Sequence, residues 1–216
     1  DIALKAFIKD VEESSDGRIK ITQYNGQTLC KGPDTLSAVI NGLTDIGWNT
    51  ATQTSGALQL TQLTTLPMLP IPDVPVGSAA LRDLYDNYDY LDQEYKDIHL
   101  LGLGTSGGGS VIGTNNKPIK TLEDLKGLRI RVSPGPNTEF FKLAGAQPMN
   151  IPITEMWESL DKNTVDGYLF SLTAVDDFSL WEVTDYMTQL KTYTPSFWFG
   201  MNKAKYDSLP DDLKQV

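Results

Sequence analysis

Strand-like and helix-like patterns alternate along this chain, and one short order of them occurs twice. Asp16-Gly17-Arg18-Ile19-Lys20-Ile21 resembles Lys126-Gly127-Leu128-Arg129-Ile130-Arg131, and Asn41-Gly42-Leu43-Thr44-Asp45-Ile46-Gly47 resembles Asn163-Thr164-Val165-Asp166-Gly167. Each copy reads as a strand, a helix and an Asp-led strand. Alternation of this kind builds α/β folds with largely parallel pairing. Two copies predict two α/β lobes with a cleft between them, a place where small-molecule sites concentrate.

The individual patterns fill in this plan. Leu4, Phe7, Ile8 and Val11 repeat at helical spacing and Gly17 stops the run. Arg18 to Thr22 alternates like a half-buried strand. Pro33 opens a helix with Leu36, Val39, Ile40 and Leu43 on one face, and Asp45 to Trp48 reads as a short strand. The four prolines between Pro67 and Pro75 make a loop. Leu81, Leu84, Tyr85, Tyr88 and Leu91 then form a core-facing helical stripe, and Ile98 to Leu103 is an apolar strand. Thr121 starts a helix that Gly127 ends. In Leu128-Arg129-Ile130-Arg131-Val132 strict alternation places both arginines on one strand face. Asn137 is expected to cap a helix over Thr138 to Ala144, and Thr154 one through Trp157 and Leu160. Pro148 to Ile151 is extended, Val165 to Phe170 is a strand, and Thr192 to Met201 is extended and aromatic-rich.

Charge and composition narrow the function. With 18 basic and 28 acidic residues the 216-residue chain carries a net charge of −10. That disfavours nucleic acid, which requires a basic surface, and anionic lipid. A single cysteine, Cys30, and a single histidine, His99, exclude an intrachain disulfide and the usual cysteine- and histidine-rich zinc sites. No cofactor or metal is expected.

Two motifs look catalytic. Gly102-Leu103-Gly104-Thr105-Ser106-Gly107 fits the dinucleotide fingerprint, but Gly108-Gly109-Ser110 follows where a helix should begin. Gly104-Thr105-Ser106-Gly107-Gly108 fits a nucleophile elbow, but the only histidine precedes the serine. A glycine-rich crossover or hinge accounts for both. Asp83, Asp86, Asp89 and Asp92 recur every third residue and read as a solvated helix edge. Asp45 and Asp166 lie at helix-to-strand turns, where aspartate accepts backbone N–H bonds.

One stretch is far more specific. Lys117-Pro118-Ile119-Lys120-Thr121-Leu122-Glu123-Asp124-Leu125-Lys126-Gly127-Leu128-Arg129-Ile130-Arg131-Val132 resembles the "KPIKtpeDLKGLKIRV" segment of the solute-binding subunit of tripartite ATP-independent periplasmic (TRAP) transporters, the DctP-like family. Gly145-Ala146-Gln147-Pro148, Glu155 to Leu160, Val165-Asp166-Gly167 and Met201-Asn202-Lys203 to Leu209-Pro210 echo the family in the same order. The resemblance implies a two-lobed periplasmic-binding-protein-like fold, with residues 1–100 mainly lobe 1, 101–112 the crossover or hinge, 113–191 mainly lobe 2, and 192–216 a return strand and the start of a C-terminal helix. It also implies a signal peptide and first strand before residue 1 and helices beyond residue 216, so truncation at both ends is expected.

By resemblance the chain is a periplasmic, non-enzymatic and monomeric receptor. It binds a small organic acid and delivers it to a TRAP membrane permease. A hydrolase using Ser106 and a chemosensory module of the same fold are the alternatives. Arg131 stands where the family places the arginine that pairs with the ligand carboxylate. It also lies near the C-terminal end of a strand, where open α/β sheets bind ligands, and its planar fork suits a carboxylate. Sialic acid receptors carry Gln-Glu-Asn-Pro after Val-Asp-Gly. This chain has Tyr168-Leu169-Phe170-Ser171, so Phe170 replaces an asparagine, and Val111 aligns with a second arginine. Trp48, Asn49, Met68, Trp157, Phe197 and Trp198 complete the expected apolar, partly aromatic pocket, with core packing as the alternative for each.

Overall fold

The chain builds two separate sheets, and the last strand belongs to the first of them. The computed structural model describes residues 2–54, 56–69, 71–106, 110–190 and 194–216. Its helices and strands run α1 (Ile2–Ser14), α2 (Thr35–Ile40), β1 (Ile46–Thr50), α3 (Val74–Asn87), β2 (Ile98–Thr105), β3 (Ser110–Thr114), β4 (Arg129–Arg131), α4 (Pro136–Leu143), β5 (Gln147–Met149), α5 (Met156–Asp161), β6 (Gly167–Ser171), α6 (Leu172–Asp177), β7 (Tyr186–Leu190), β8 (Ser196–Asn202) and α7 (Lys203–Asp207). One sheet has the order β1-β8-β2 and the other β5-β4-β6-β3-β7. The chain leaves the first sheet after β2, forms the second, and returns through β8. Ser106 N–H donates to the Pro195 carbonyl at 3.0 Å where the outgoing and returning passages meet.

The pairing corrects the parallel expectation. Among the described residues only β4 makes parallel ladders, with β5 and β6, while the β1–β8, β2–β8, β3–β6 and β3–β7 ladders are antiparallel. The physical reason is the return passage. β8 enters the first sheet from the other lobe, so it runs against both neighbours, whereas parallel neighbours need a crossover within one lobe.

Each sheet buries alternate side chains. In the first, Leu36 and Val39 of α2 and Leu81 of α3 pack with Tyr95, Ile98 and Trp198. In the second, Ile112, Ile130, Phe141 and Leu169 form one core, and Val111, Met156, Leu160, Tyr168 and Phe170 form another on the opposite face. The central strands β3 and β6 are buried along their whole length, as strands covered on both faces must be. Gly167 is required by close approach: a Cβ there would lie 2.4 Å from the Gly113 carbonyl oxygen.

Several local expectations are revised. Arg18 to Thr22 forms no strand. Its backbone donors turn to α1 instead, with Ile19 N–H on Ser15 Oγ at 3.1 Å and Ile21 N–H on Glu12 Oε1 at 3.0 Å. Helix α2 stops at Ile40, before Gly42 at φ 72°, and this leaves Ile40 and Leu43 exposed. Helix α3 stops at Asn87, so Leu84 and Tyr88 are exposed and only Leu81 and Tyr85 of the helix reach the core. The turn after Thr121 is a 3-10 turn, closed by a capping box with Asp124. Pro136 takes the first helical position, so α4 starts behind Gly135 and Asn137 lies within it. Thr154 sits inside a 3-10 turn, and α5 begins behind Glu155. Strand β7 lacked any alternation to announce it, since it is an edge strand with mostly exposed side chains.

Asp166 ties the start of β4 to the start of β6. Its Oδ2 accepts from Arg129 N–H at 2.8 Å and from Arg129 Nε at 3.1 Å, and its Oδ1 accepts from Nη2 at 2.8 Å. These bonds hold the Asp166 carboxyl below its ordinary pKa. A depressed folded pKa contributes stability above the unfolded value, near 4, and that contribution is lost as pH falls through the folded value. Asp166→Asn should therefore lower Tm at pH 7, and the gap to the parent should close as pH drops below about 4. Thermal melts at pH 7 and pH 3 measure both.

Candidate ligand-binding site

Arg131 ends β4 between Met149 of β5 and Tyr168 of β6. It is only 2% exposed, and a buried charge persists only where its donors are answered. Nε donates to the Ile151 carbonyl at 2.9 Å and Nη1 to Ser133 Oγ at 3.3 Å. Its Cζ lies 4.2 Å from the centroid of the Phe170 ring, a cation–π stack that fixes the plane of the guanidinium. Phe170 and Val111 are register partners on β6 and β3, and both are buried on this face. A cation held in a rigid plane within an apolar frame can recognise a planar anion. Arg129 shares the strand face but is bound to Asp166 at the far end of β4.

The other expected residues disperse. Trp48 and Phe197 stack at 5.0 Å and 11° and line a shallow cavity of about 330 Å³ with Gly102, Gly104 and Ser106. Trp198 also borders this cavity, although its side chain is buried. Asn49 Nδ2 donates to the Gly32 carbonyl at 2.6 Å and to Thr35 Oγ1 at 3.3 Å, and Trp198 is wholly buried in the core of the first sheet. Met68 lies on the surface, 70% exposed. Trp157 donates from Nε1 to Glu182 Oε2 at 3.2 Å, tying α5 to the 3-10 turn Leu180–Val183. The structure thus gathers Arg131, Phe170 and Val111 in one place and Trp48 and Phe197 in another.

Contacts between the two halves were not foreseen. After β4 the chain turns through Ser133 and Gly135 toward the first half. A Cβ on Gly135 would lie 3.2 Å from Gln62 Oε1 and 3.7 Å from Thr52 Cγ2. Asn137 Nδ2 donates to the Thr65 carbonyl at 3.3 Å. Sequence carried one signal for this surface: residues 50–65 hold six threonines, Thr50, Thr52, Thr54, Thr61, Thr64 and Thr65.

Among the described residues, the catalytic-looking motifs do not bring the histidine to the serine. Gly107 to Gly109 lie outside the described residues. Ser106 follows directly on β2, and His99 is near that strand's other end, seven residues away or roughly 23 Å at 3.3 Å per residue. The His99 ring stacks on Tyr206 at 3.4 Å, and burial, aided by Lys203, pushes its pKa down. Among the described residues no group of three His, Cys, Asp or Glu could hold a metal ion, and no helix is long and apolar enough to cross a membrane.

Comparison with known proteins finds relatives along nearly the whole chain. The chain is 27% identical over 220 residues to the 2,3-diketo-L-gulonate-binding periplasmic protein YiaO of Escherichia coli (strain K12), covering 100% of this chain and 65% of that protein. A TRAP solute-binding protein from Rhodoferax ferrireducens T118, solved in complex with copurified benzoate, matches with a TM-score of 0.91 and 28% identity, over 98% of this chain and 66% of that one. A marine metagenome TRAP solute-binding protein specific for aromatic acid ligands, solved with 3-hydroxybenzoate, matches with a TM-score of 0.89 and 30% identity, over 98% and 67%. The chain thus spans about two thirds of the length of these relatives. With the family model matched over residues 1–216 and the fold shared with two-lobed TRAP receptors, the chain belongs to the bacterial extracellular solute-binding protein family 7, the DctP family.

Proposed function

We propose that this chain is the ligand-binding region of an extracytoplasmic receptor that captures a compact carboxylate with an aromatic or apolar body. The receptor passes the acid, chemically unchanged, to a TRAP-type permease. The observation that carries the reading is the buried Arg131 guanidinium stacked on Phe170 beside Val111. The cation answers a carboxylate, and the apolar frame answers a ring rather than a polyol. The relatives solved with benzoate and 3-hydroxybenzoate support the same class. We further assign residues 1–100 and 113–191 to the two lobes, 101–112 to the crossover and 192–216 to the return. The protein is assigned to the periplasm and acts as a monomer. The Trp48–Phe197 pair is the first lobe's contribution to the ligand's apolar surroundings.

A thermal-shift screen on full-length protein tests the ligand class. Benzoate and 3-hydroxybenzoate at about 100-fold over Kd should raise Tm by roughly 3–5 °C. Galacturonate and gluconate should leave it unchanged. Stabilisation by the sugar acids alone overturns the assignment.

A further inference from the structure

We infer that Asn137 is a positioning residue that holds the two lobes closed over the bound acid. It acts through the bond from Nδ2 to the Thr65 carbonyl, and the inference rests on the cleft-binding reading above. Asn137 lies in the first turn of α4, six residues beyond Arg131, yet it does not cap its own helix. The cap position is Gly135 and the first helical position is Pro136. Its side chain is spent elsewhere: the residue is 3% exposed and Nδ2 donates to a carbonyl 72 positions earlier in the chain, in the other lobe.

Two further features make that reach possible. Gly135 has φ 113° and ψ −155°, a region essentially reserved for glycine, and a side chain there would press on Gln62 and Thr52. Thr65 is itself fixed, its Oγ1 donating to the Gln62 carbonyl at 2.6 Å. The turn from Ser133 to Asn137 therefore meets a braced surface on the first lobe. The same turn supplies Ser133 Oγ to Arg131 Nη1. Closure and the aim of the guanidinium are thus set by one short rigid piece of chain.

When the lobes part, the Asn137 amide and the Thr65 carbonyl are hydrated; when they meet, Oδ1 is buried with no partner among the described residues, and the Nδ2 bond to Thr65 is what offsets burial of the amide. Losing it lowers the closed fraction, and apparent affinity falls by the same factor. A single neutral hydrogen bond corresponds to about a two- to tenfold effect. Asn137→Asp should do more than Asn137→Ala, because an ionised carboxylate cannot donate and sets its oxygen against the carbonyl. Gly135→Ala should act in the same direction by wedging the lobes apart.

Full-length protein with Cys30→Ser, and dyes on Leu43→Cys and Leu143→Cys, both exposed positions, reports lobe separation by energy transfer. Stopped-flow mixing with benzoate gives the rates. Asn137→Ala should shift the ligand-free distribution toward separated lobes and speed benzoate release two- to tenfold, with the association rate unchanged. Asn137→Asp and Gly135→Ala should move both readouts the same way. A role confined to helix stability would lower Tm and leave the release rate and the separation alone. Unchanged separation in Asn137→Asp and Gly135→Ala overturns the latch. If benzoate fails to bind the parent protein, the ligand class is wrong, and the ligand-free distributions still decide the latch.

Discussion

Arg131→Ala should weaken benzoate binding by two to three orders of magnitude in protein that remains folded. Desolvated on closure, a carboxylate facing a guanidinium is held by charge-assisted bonds, and removing one partner leaves the other buried and unanswered at roughly 3–5 kcal/mol. At about 1.4 kcal/mol per decade this is at least a hundredfold. Arg131→Lys should recover only part of the loss. Lysine keeps the charge, but it lacks the fork and the flat face that stacks on Phe170 at 4.2 Å. Arg129→Ala is the control. Its partners are Asp166 and the Asn163 carbonyl, so its loss should lower stability and spare affinity. Calorimetry on the three variants measures this, and equal losses in Arg129→Ala and Arg131→Ala would mean the clamp is misassigned.

Trp198→Ala should have the opposite profile. The indole is fully buried against Leu36, Val39, Leu81 and Ile98 in the first sheet. Its removal leaves a large cavity at about 3–5 kcal/mol of stability. Urea unfolding should report that loss, while benzoate affinity below the transition stays within about threefold of the parent. A folded Trp198→Ala protein of normal stability and lost affinity would return Trp198 to the binding surface.

The contrast between these residues shows where sequence was sufficient. The strand Arg129-Ile130-Arg131 was legible because alternation alone places Ile130 in the core and both arginines opposite it. Asp166 was legible as the residue at a helix-to-strand turn, and the structure adds why glycine follows: the Gly113 carbonyl passes too close for a Cβ. The same alternation bears on the aromatic candidates. Trp48 and Asn49 are adjacent on one strand, as are Phe197 and Trp198, so the side chains of each pair point to opposite faces of the sheet. The β1–β8 register sets Trp48 opposite Phe199 and Asn49 opposite Trp198. One face therefore carries the stacked Trp48 and Phe197, and the other carries the core.

What sequence did not reveal depends on chain segments that meet only after folding. The direction of β8 follows from its passage through the other lobe. Arg18 to Thr22 has the alternation of a strand, but its donors are captured by Ser15 and Glu12. Asn137 has the residue type of a cap, and only the approach of Thr65 shows its amide to be engaged across the lobes.

Native mass spectrometry of the gently purified full-length protein identifies what the Arg131 site holds. A single bound adduct is expected, with the mass of an aromatic or compact apolar monocarboxylic acid, released unchanged on denaturation and absent from Arg131→Ala. A polyhydroxylated or neutral adduct, or one retained in Arg131→Ala, would contradict it.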